Sequence, residues 1–301
     1  MQRSVGILGL GIMGSAMAAN LLRAGFRVVG YDPVLQCRTR HRRAGGIAAT
    51  SIQDVAGAAS IIVTSLPSES ALDSVSRAIV SKPARIVIET STLPIRVKEA
   101  ARQRLAQVGV TLLDCPLSGT GAQARIKDLV VYASGPGAAI RRCRKVFEGF
   151  SRMHYDLGKF GNGSKMKFAA NLLVAIHNVS AAEAVVLARK SGLDPKLAVK
   201  VLGDGAGSSR MLQVRGPMMA RRTYGNATMK VEVWQKDMQI IGEFVRRLKS
   251  PAPLFNATRA IYRAAMARGY ARADTAAVCA VLERRGPVDR SRRWRRANTS
   301  N

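Results

Sequence analysis

The feature that most constrains the fold is a glycine-rich turn, Gly9-Leu10-Gly11-Ile12-Met13-Gly14, which follows a short apolar run and opens a helical pattern. In this context the turn is typical of a dinucleotide-binding unit. Gly9 allows the tight turn, Gly11 lets the backbone approach a pyrophosphate, and Gly14 allows close helix–strand packing. Free amides at the helix start then bind the anion. The predicted cofactor contacts here are Gly9, Gly11, Ile12, Met13 and Gly14.

A second element of the same signature is Asp32, which ends the next predicted strand. It lies about 20 residues beyond the turn, where an acidic side chain binds ribose hydroxyls. A carboxylate there accepts hydrogen bonds from the 2′-OH of NAD and repels the 2′-phosphate of NADP. The predicted cofactor is therefore NAD, with NADP less favoured. Alternatively, Asp32 only caps a turn before Pro33.

The first half of the chain alternates short apolar runs with helical patterns, which indicates strand–helix–strand units on a parallel sheet. The predicted strands are Ser4–Leu8, Arg27–Tyr31, Ser60–Ser65, Arg85–Glu89, Val110–Leu113 and Leu129–Ala133. The predicted helices are Met13–Ala24, Glu69–Val80, Ile95–Val108 and Ala138–Phe147. The predicted fold class is therefore α/β, with an N-terminal doubly wound sheet of the Rossmann type.

The second half is predicted to be all-helical. One long helix, Ser164–Lys190, contains neither glycine nor proline and would span about 40 Å, enough to join two domains. Asp194-Pro195 is a helix-start signal, with an N-cap and a proline at the first helical position. Later helices are predicted at Met229–Leu248, Pro253–Ala267 and Asp274–Glu283. The predicted domains are a dinucleotide-binding domain at 1–163, a helical substrate and dimerisation domain at 164–287, and a disordered basic tail at 288–301.

The formal net charge of +29 is the most unusual bulk property. Such an excess attracts nucleic acid or anionic membrane surfaces. The cations are spread along the chain, however, and aromatic side chains, the usual stacking platforms for single strands, make up 5% of it. We therefore expect solvated arginines that steer an anionic substrate rather than a nucleic-acid partner. No apolar run approaches the roughly 18–20 residues of a membrane span, so no membrane partner is expected.

The cysteines and histidines do not predict a metal site. Four cysteines are far apart and form no Cys-x-x-Cys pair, which fits free thiols in a reducing compartment such as the cytoplasm. Three histidines share no metal-ligand spacing, so we expect structural roles for them. These residues are Cys37, Cys115, Cys143 and Cys279, and His41, His154 and His177.

On the long helix, Lys167 and Asn171 are four residues apart and therefore share one face. A lysine on a mostly apolar stripe between domains is costly unless function retains it, because burial lowers its pKa. Such a lysine exchanges a proton with a substrate hydroxyl while hydride leaves the same carbon. Alternatively, Lys167 is a snorkelling side chain beside an exposed amide.

An ordered set of motifs resembles the β-hydroxyacid dehydrogenase family from residue 4 to about 285. Members of this family include 3-hydroxyisobutyrate, tartronate-semialdehyde, threonate and 6-phosphogluconate dehydrogenases. The stretch from Asn171 to Glu183 looks closest to the threonate dehydrogenase-like branch. The motifs are the glycine turn, Leu66-Pro67, Thr90-Ser91-Thr92, Asp114-Cys115-Pro116-Leu117-Ser118-Gly119-Thr120, Gly161-x-Gly163 with Lys167 and Asn171, and Lys236-Asp237.

The resemblance implies an NAD-dependent oxidoreductase that transfers hydride between nicotinamide and a small anionic hydroxy acid, and that forms a homo-oligomer. Lys167 would be the general acid/base, with Asn171 beside it. The substrate carboxylate would lie against Ser118, Gly119 and Thr120, where many members have a second glycine in place of Thr120. Further cofactor contacts would come from Leu66, Pro67, Thr92 and Lys236.

Two other functions remain open from the sequence. One is a catalytically silent dinucleotide-binding module with a basic surface for nucleic acid, although such relatives tend to lack the lysine. The other is an imine reductase, in which another residue commonly stands in place of Lys167. A 6-phosphogluconate dehydrogenase proper is disfavoured because the chain lacks the long C-terminal extension of larger members. Retention of Lys167, Asn171 and Ser118 favours the dehydrogenase.

Overall fold

The predicted parallel sheet is present in the structure, a computed structural model that describes residues 4–80 and 85–283. Its strand order is β3-β2-β1-β4-β5-β6, and every pairing is parallel. The order reverses between β1 and β4, and ligands of such sheets bind outside the carboxyl ends of the strands at this point. The strands are β1 Ser4–Leu8, β2 Arg27–Tyr31, β3 Ile47–Ala48, β4 Ile61–Thr64, β5 Ile86–Glu89 and β6 Thr111–Asp114.

Helices cover both faces of the sheet because successive strand residues point to opposite sides. Ile7 packs in a buried cluster with α1, α6 and α7, whereas its neighbour Leu8 packs in a second cluster with α3, α4 and α5. This arrangement confirms the doubly wound α/β class. The helices are α1 Ile12–Arg23, α2 Leu35–Arg43, α3 Ile52–Ala58, α4 Glu69–Ala78, α5 Ile95–Gln107, α6 Gly121–Arg125 and α7 Gly137–Phe150.

One predicted strand does not belong to the main sheet. Leu129–Ala133 forms β8, Val130–Ala133, which pairs antiparallel with β7, Leu117–Ser118, and parallel with β9, Met153–Asp156. The expectation of one continuous parallel sheet was wrong at this point. A parallel crossover needs a dozen or more residues, usually a full helix, but only the short α6 lies between β7 and β8. The chain therefore reverses and begins a separate three-stranded sheet.

The long predicted helix is α8, Asn162–Lys190. The chain separates into two compact units, Met1–Ala170 and Asn171–Asn301, so the first turns of α8 belong to unit 1. Among the described helices, α8 is the one that is long and apolar enough to cross a membrane by length and composition. Core helices of globular proteins pass the same test, so we assign no span.

The described residues of unit 2 form helices and no strand longer than an isolated bridge. Asp194 caps α9 as predicted, and its carboxylate accepts from the amides of Lys196 and Leu197. Sequence analysis did not predict α10. The predicted disordered tail at 288–301 lies outside the described residues. The remaining helices are α9 Pro195–Asp204, α10 Arg210–Arg221, α11 Val231–Arg247, α12 Pro253–Ala267 and α13 Val278–Glu283, the last preceded by a 3-10 turn, Thr275–Ala277.

Candidate active site

The glycine turn lies at the carboxyl end of β1, where the strand order reverses. Gly9 has a φ of 92°, and a Cβ there would lie 2.2 Å from the Ser65 carbonyl oxygen. A Cβ on Gly14 would lie 1.8 Å from the Gly9 carbonyl oxygen, so both positions exclude a side chain. A Cβ on Gly11 would have no atom within 4 Å. The turn is therefore tight on its protein side and open at Gly11, as a pyrophosphate cradle requires.

Asp32 at the end of β2 is held against this turn. Its Oδ2 accepts from the Leu10 amide at 2.8 Å, and its Oδ1 accepts from the Val34 amide at 2.9 Å. The carboxylate therefore caps the local turn before Pro33 and also borders the glycine turn. Each carboxylate oxygen accepts two hydrogen bonds at full capacity, so lone pairs remain for ribose hydroxyls.

Arg38 borders the same corner of unit 1. Its guanidinium donates to the Asp32 carbonyl oxygen at 2.6 Å and lies 5.6 Å from the centre of the Tyr31 ring. An arginine near the ribose site accommodates a 2′-phosphate in some dinucleotide-binding proteins. This corner of unit 1 therefore contains one carboxylate, at the position predicted to bind the ribose, and one guanidinium next to it.

Two further predicted cofactor loops lie at the same edge of the sheet, after β4 and β5. The Leu66 amide donates to Ser91 Oγ at 2.8 Å, and this bond joins the Leu66-Pro67 loop to the Thr90–Thr92 loop. Leu66 and Thr92 are half-buried, whereas Pro67 and Ile12 are exposed. Unit 1 therefore brings the predicted cofactor residues of four strand ends to one edge.

The predicted carboxylate-binding loop follows β6 and includes β7. Gly119 has a φ of 133°, and a Cβ there would lie 2.6 Å from a Leu129 side-chain carbon, so glycine is required. Thr120 is the N-cap of α6 and forms a capping box with Gln123. The side chain of Thr120 therefore stabilises the start of this helix. The half-buried Ser118 hydroxyl makes no hydrogen bond within residues 4–80 and 85–283 and remains able to bind a ligand.

Lys167 lies in the first turns of α8 and is half-buried. The start of this helix is anchored to the end of β6, because the Ser164 amide donates to Asp114 Oδ2 at 2.7 Å and the Ser164 hydroxyl donates to Asp114 Oδ1 at 2.8 Å. Asp114 in turn lies four residues before Ser118. One buried carboxylate thus connects the loop of Ser118 to the helix of Lys167.

A buried charge cluster that was not predicted from the sequence lies next to these elements. Lys98 on α5 contacts Glu89 Oε2 at 2.6 Å and Asp114 Oδ1 at 2.8 Å, and all three residues have no exposed surface. Burial alone would lower the pKa of Lys98, but the two carboxylates outweigh it and raise the pKa above its usual range. A signal was present, since Lys98 shares the buried stripe of α5 with Ala101 and Leu105.

In unit 2, Asn171 is buried and its Nδ2 donates to Asp237 Oδ2 at 2.9 Å. The amide is therefore oriented by Asp237 of α11, a residue to which sequence analysis assigned no role. Lys236 is partly exposed, with its Nζ 4.0 Å from Asp237 Oδ1. The structure places the three residues of unit 2 next to one another.

The buried thiols and histidine have structural roles. Burial raises the pKa of Cys143 to about 12 and the pKa of Cys115 well above its ordinary value, so neither is a thiolate nucleophile. Burial also lowers the pKa of His41, which is neutral and contacts the Val28 carbonyl oxygen. No group of three metal-ligating side chains occurs within the part of the chain that the structure describes.

Known proteins with similar sequences and structures were compared with the chain. Residues 4–158 match the family profile of the NAD binding domain of 6-phosphogluconate dehydrogenase. Residues 161–282 match the profile of the NAD-binding region of NADP-dependent 3-hydroxyisobutyrate dehydrogenase. An L-threonate dehydrogenase of Cupriavidus necator is 31% identical over 94% of the chain and 97% of its own length.

Two solved structures extend this comparison. A 3-hydroxyisobutyrate dehydrogenase of Salmonella typhimurium has a TM-score of 0.84 at 28% identity, covering 93% of this chain and 100% of that one. A 3-hydroxyisobutyrate dehydrogenase of Mycobacterium tuberculosis, described with L-serine, has a TM-score of 0.84 at 26% identity, covering 94% and 99%. Sequence profiles, a relative and solved structures therefore agree over nearly the whole chain.

Proposed function

The chain belongs to the β-hydroxyacid dehydrogenase family, and we propose that it oxidises a small hydroxy acid with Lys167 as the proton-transfer residue. It is an oxidoreductase that acts on CH–OH groups with a nicotinamide cofactor. The observation that carries the proposed mechanism is the anchoring of two segments on Asp114. This carboxylate precedes the loop of Ser118 and holds the start of the helix that carries Lys167.

The chemistry assigns one task to each site residue. When bound at the glycine turn, NAD supplies the acceptor for the hydride that leaves the hydroxyl-bearing carbon. Lys167 Nζ, as a neutral amine, accepts the proton of the substrate hydroxyl, so the alcohol becomes a carbonyl and loses two electrons and two hydrogens in total. In the reverse direction, the Lys167 ammonium returns the proton to the carbonyl oxygen.

The substrate class follows from the anion-binding loop and from the relatives. Ser118 Oγ and the Gly119 amide are donors suited to a carboxylate. The Thr120 amide already donates to Gln123 Oε1 at 3.0 Å, so Thr120 would border the carboxylate without this amide as a donor. Relatives of this chain are named for L-threonate, L-serine and 3-hydroxyisobutyrate, all small hydroxy acids. We propose a substrate of this size, and the Asn171 amide would be a further donor near Lys167.

A substrate panel tests this function. Purified protein is mixed with NAD or NADP and with L-threonate, L-serine, 3-hydroxyisobutyrate or tartronate, and formation of reduced nicotinamide is followed by absorbance. We expect turnover of at least one acid. Binding of NAD without any turnover, together with salt-sensitive binding of nucleic acid, would favour the silent module instead. Turnover of a cyclic imine but of no hydroxy acid would favour an imine reductase.

Ser118→Ala is expected to raise the KM of the acid by about 10-fold to 150-fold. The variant removes one hydrogen bond to a charged group, which contributes about 1.5–3 kcal/mol. The Kd of NAD should remain unchanged because Ser118 is not assigned to the cofactor. Ser180→Ala, an exposed serine on α8, is the matched control. An unchanged KM in Ser118→Ala would remove this residue from the substrate site.

Asp32→Asn is expected to weaken NAD binding about tenfold and to leave NADP binding unchanged or tighter. Loss of one charge-assisted bond to the ribose costs about 1.4 kcal/mol or more, whereas the repulsion of a 2′-phosphate disappears. Fluorescence titration gives both Kd values. Asp54→Asn, an exposed helix cap in unit 1, is the control and should change neither. Equal weakening of both cofactors would mean that Asp32 only holds the Leu10 amide.

We further propose that the protein works in the cytoplasm as a homo-oligomer. All four cysteines are free thiols, which fits a reducing compartment. The homo-oligomer is expected from the family resemblance. Size-exclusion chromatography with light scattering measures the mass of the protein in solution. A monomeric mass at micromolar concentration would contradict this assignment.

A further inference from the structure

Of the buried cluster of Glu89, Lys98 and Asp114, the proposed mechanism uses only Asp114, as the anchor of α8, and it assigns no role to Glu89 or Lys98. Glu89 and Asp114 end the neighbouring strands β5 and β6 and are directly paired in the sheet. The Lys98 ammonium donates to Asp114 Oδ1 at 2.8 Å and to the Ser91 carbonyl oxygen at 2.7 Å, and it forms an ion pair with Glu89 Oε2 at 2.6 Å. Three oxygen atoms from three positions of the chain therefore surround this buried ammonium.

Stability alone is a weak explanation for such a cluster. Removing charges from water costs several kcal/mol per ion, and well-packed apolar residues of similar volume often stabilise a protein equally or better. A buried charge cluster held by hydrogen bonds and ion pairs does, however, fix directions and distances that apolar packing leaves free. Its contacts therefore indicate which segments need to be fixed.

On one side, the cluster contacts the cofactor loops. The Ser91 amide donates to Glu89 Oε1 at 2.9 Å, and the Ser91 carbonyl accepts from Lys98. The same Ser91 accepts at its hydroxyl from the Leu66 amide at 2.8 Å. The two loops that contain Leu66 and Thr92 are thus held by one serine, which is held by the cluster.

On the other side, the cluster contacts the start of α8. Asp114 accepts from both the amide and the hydroxyl of Ser164. Ser134 Oγ accepts from the Gly163 amide at 2.9 Å and donates to the Asp114 carbonyl oxygen at 3.1 Å. A Cβ on Gly163 would lie 2.6 Å from that same carbonyl oxygen, so the helix start is in direct contact with the end of β6.

We infer that the Glu89–Lys98–Asp114 cluster is a positioning device, which fixes Lys167 relative to the cofactor loops through Ser164 on one side and Ser91 on the other. Lys167 follows Ser164 by three residues, so a shift of the first turn of α8 moves its amine directly. Misplacement of a reacting group by about 1 Å costs on the order of 100-fold in rate. The inference rests on the proposed function, because it assigns a purpose to the placement of Lys167.

The test uses Ser164→Ala, which removes the hydroxyl that donates to Asp114 of the cluster and retains the Ser164 amide. Ser151→Ala is the matched control, since Ser151 is equally buried in unit 1 and donates to the Phe147 carbonyl oxygen, away from the cluster. A misplacement of a reacting group by about 1 Å costs on the order of 100-fold in rate, and a smaller displacement costs part of that. We therefore expect kcat to fall at least about tenfold in Ser164→Ala and less than about twofold in Ser151→Ala.

Two further readouts separate positioning from general loss of structure. Hydrogen–deuterium exchange should increase in Ser164→Ala at the start of α8, residues 162–168, with the exchange of α1 unchanged. The Kd of NAD should stay within about twofold of wild type, because the glycine turn is not part of the cluster. Ser134→Ala removes the acceptor of the Gly163 amide and should also lower kcat and increase exchange at residues 162–168. This second variant shows that the result does not come from a folding defect particular to position 164.

The inference is overturned if exchange at 162–168 increases while kcat stays at the wild-type value, or if Ser164→Ala and Ser151→Ala lower kcat equally. Failure of the proposed function is a different result. In that case wild type itself shows no turnover, or Lys167→Ala is as active as wild type, whatever Ser164→Ala does.

Discussion

Lys167→Ala is expected to lower kcat by about 100-fold to 10,000-fold, the usual contribution of a positioned general acid or base. The substrate hydroxyl then has no amine to receive its proton while hydride leaves. The Kd of NAD, measured by fluorescence titration, should be unchanged because the glycine turn and Asp32 are intact. A large loss of kcat with normal cofactor binding assigns Lys167 to the chemical step.

The control for this variant is Lys165→Ala. Lys165 lies in the same helical turn but is exposed, and its Nζ donates to Asn162 Oδ1 at 3.1 Å. Both variants remove one positive charge and shorten one side chain, so they have the same effect on the net charge of the site. Equal activities for the two variants would exclude Lys167 as the proton-transfer residue.

Asp274→Ala is expected to lower the free energy of unfolding of unit 2 by about 3–5 kcal/mol, the usual cost of breaking a buried ion pair. Arg215 is 3% exposed, and its Nε donates to Asp274 Oδ1 at 3.1 Å. The same carboxylate accepts from the amides of Thr228, Met229 and Ala276. The variant therefore leaves a buried guanidinium and three amides without their acceptor.

Urea denaturation followed by the fluorescence of the buried Trp234 measures this loss. Asp194→Ala is the matched control, because it removes an exposed helix cap and should cost about 1 kcal/mol. Equal losses in the two variants would mean that the Arg215–Asp274 pair is not a main support of unit 2.

The same carboxylate predicts a pH dependence of stability. Burial alone would raise the pKa of Asp274, but Arg215 and the backbone amides outweigh it and hold the pKa below its ordinary value. A depressed carboxyl pKa stabilises the folded state above the unfolded pKa, and this stabilisation is lost as the pH falls through the folded pKa. The difference in unfolding free energy between wild type and Asp274→Ala should therefore narrow below about pH 4.

Much of the fold was predictable because its signals are local. The strands β1 and β2 and the helix α12 have the predicted bounds, since short continuous apolar runs indicate the two strands and the proline at the first turn indicates the start of the helix. The missed strands β3 and β7 have two residues each, which is too short for any periodic pattern. The strand β9 was also missed, because its residues are mostly exposed and form no apolar run. The placement of β8 in a second sheet depends on tertiary pairing and not on its own residues.

The candidate site was predictable only at positions that carry a motif. The glycine turn and Asp32 were predicted from motif and spacing, whereas the roles of Ser118 and Lys167 were implied by the family resemblance, and all of these roles remain predictions. The Lys98 cluster was missed because Glu89 and Asp114 are 25 residues apart in sequence and meet only through strand pairing. The bond between Asn171 and Asp237 spans 66 residues and has no local signal either.

In the proposed reaction, this chain transfers a hydride from the hydroxyl-bearing carbon of a small acid to NAD, with Lys167 taking the proton. The most direct test supplies NAD and an active acid from the panel, deuterated at that carbon, and analyses the reduced nicotinamide by mass spectrometry. The account predicts one deuterium per reduced cofactor with wild type and almost none with Lys167→Ala over the same time. Reduced cofactor without deuterium, or equal labelling by both proteins, would contradict it.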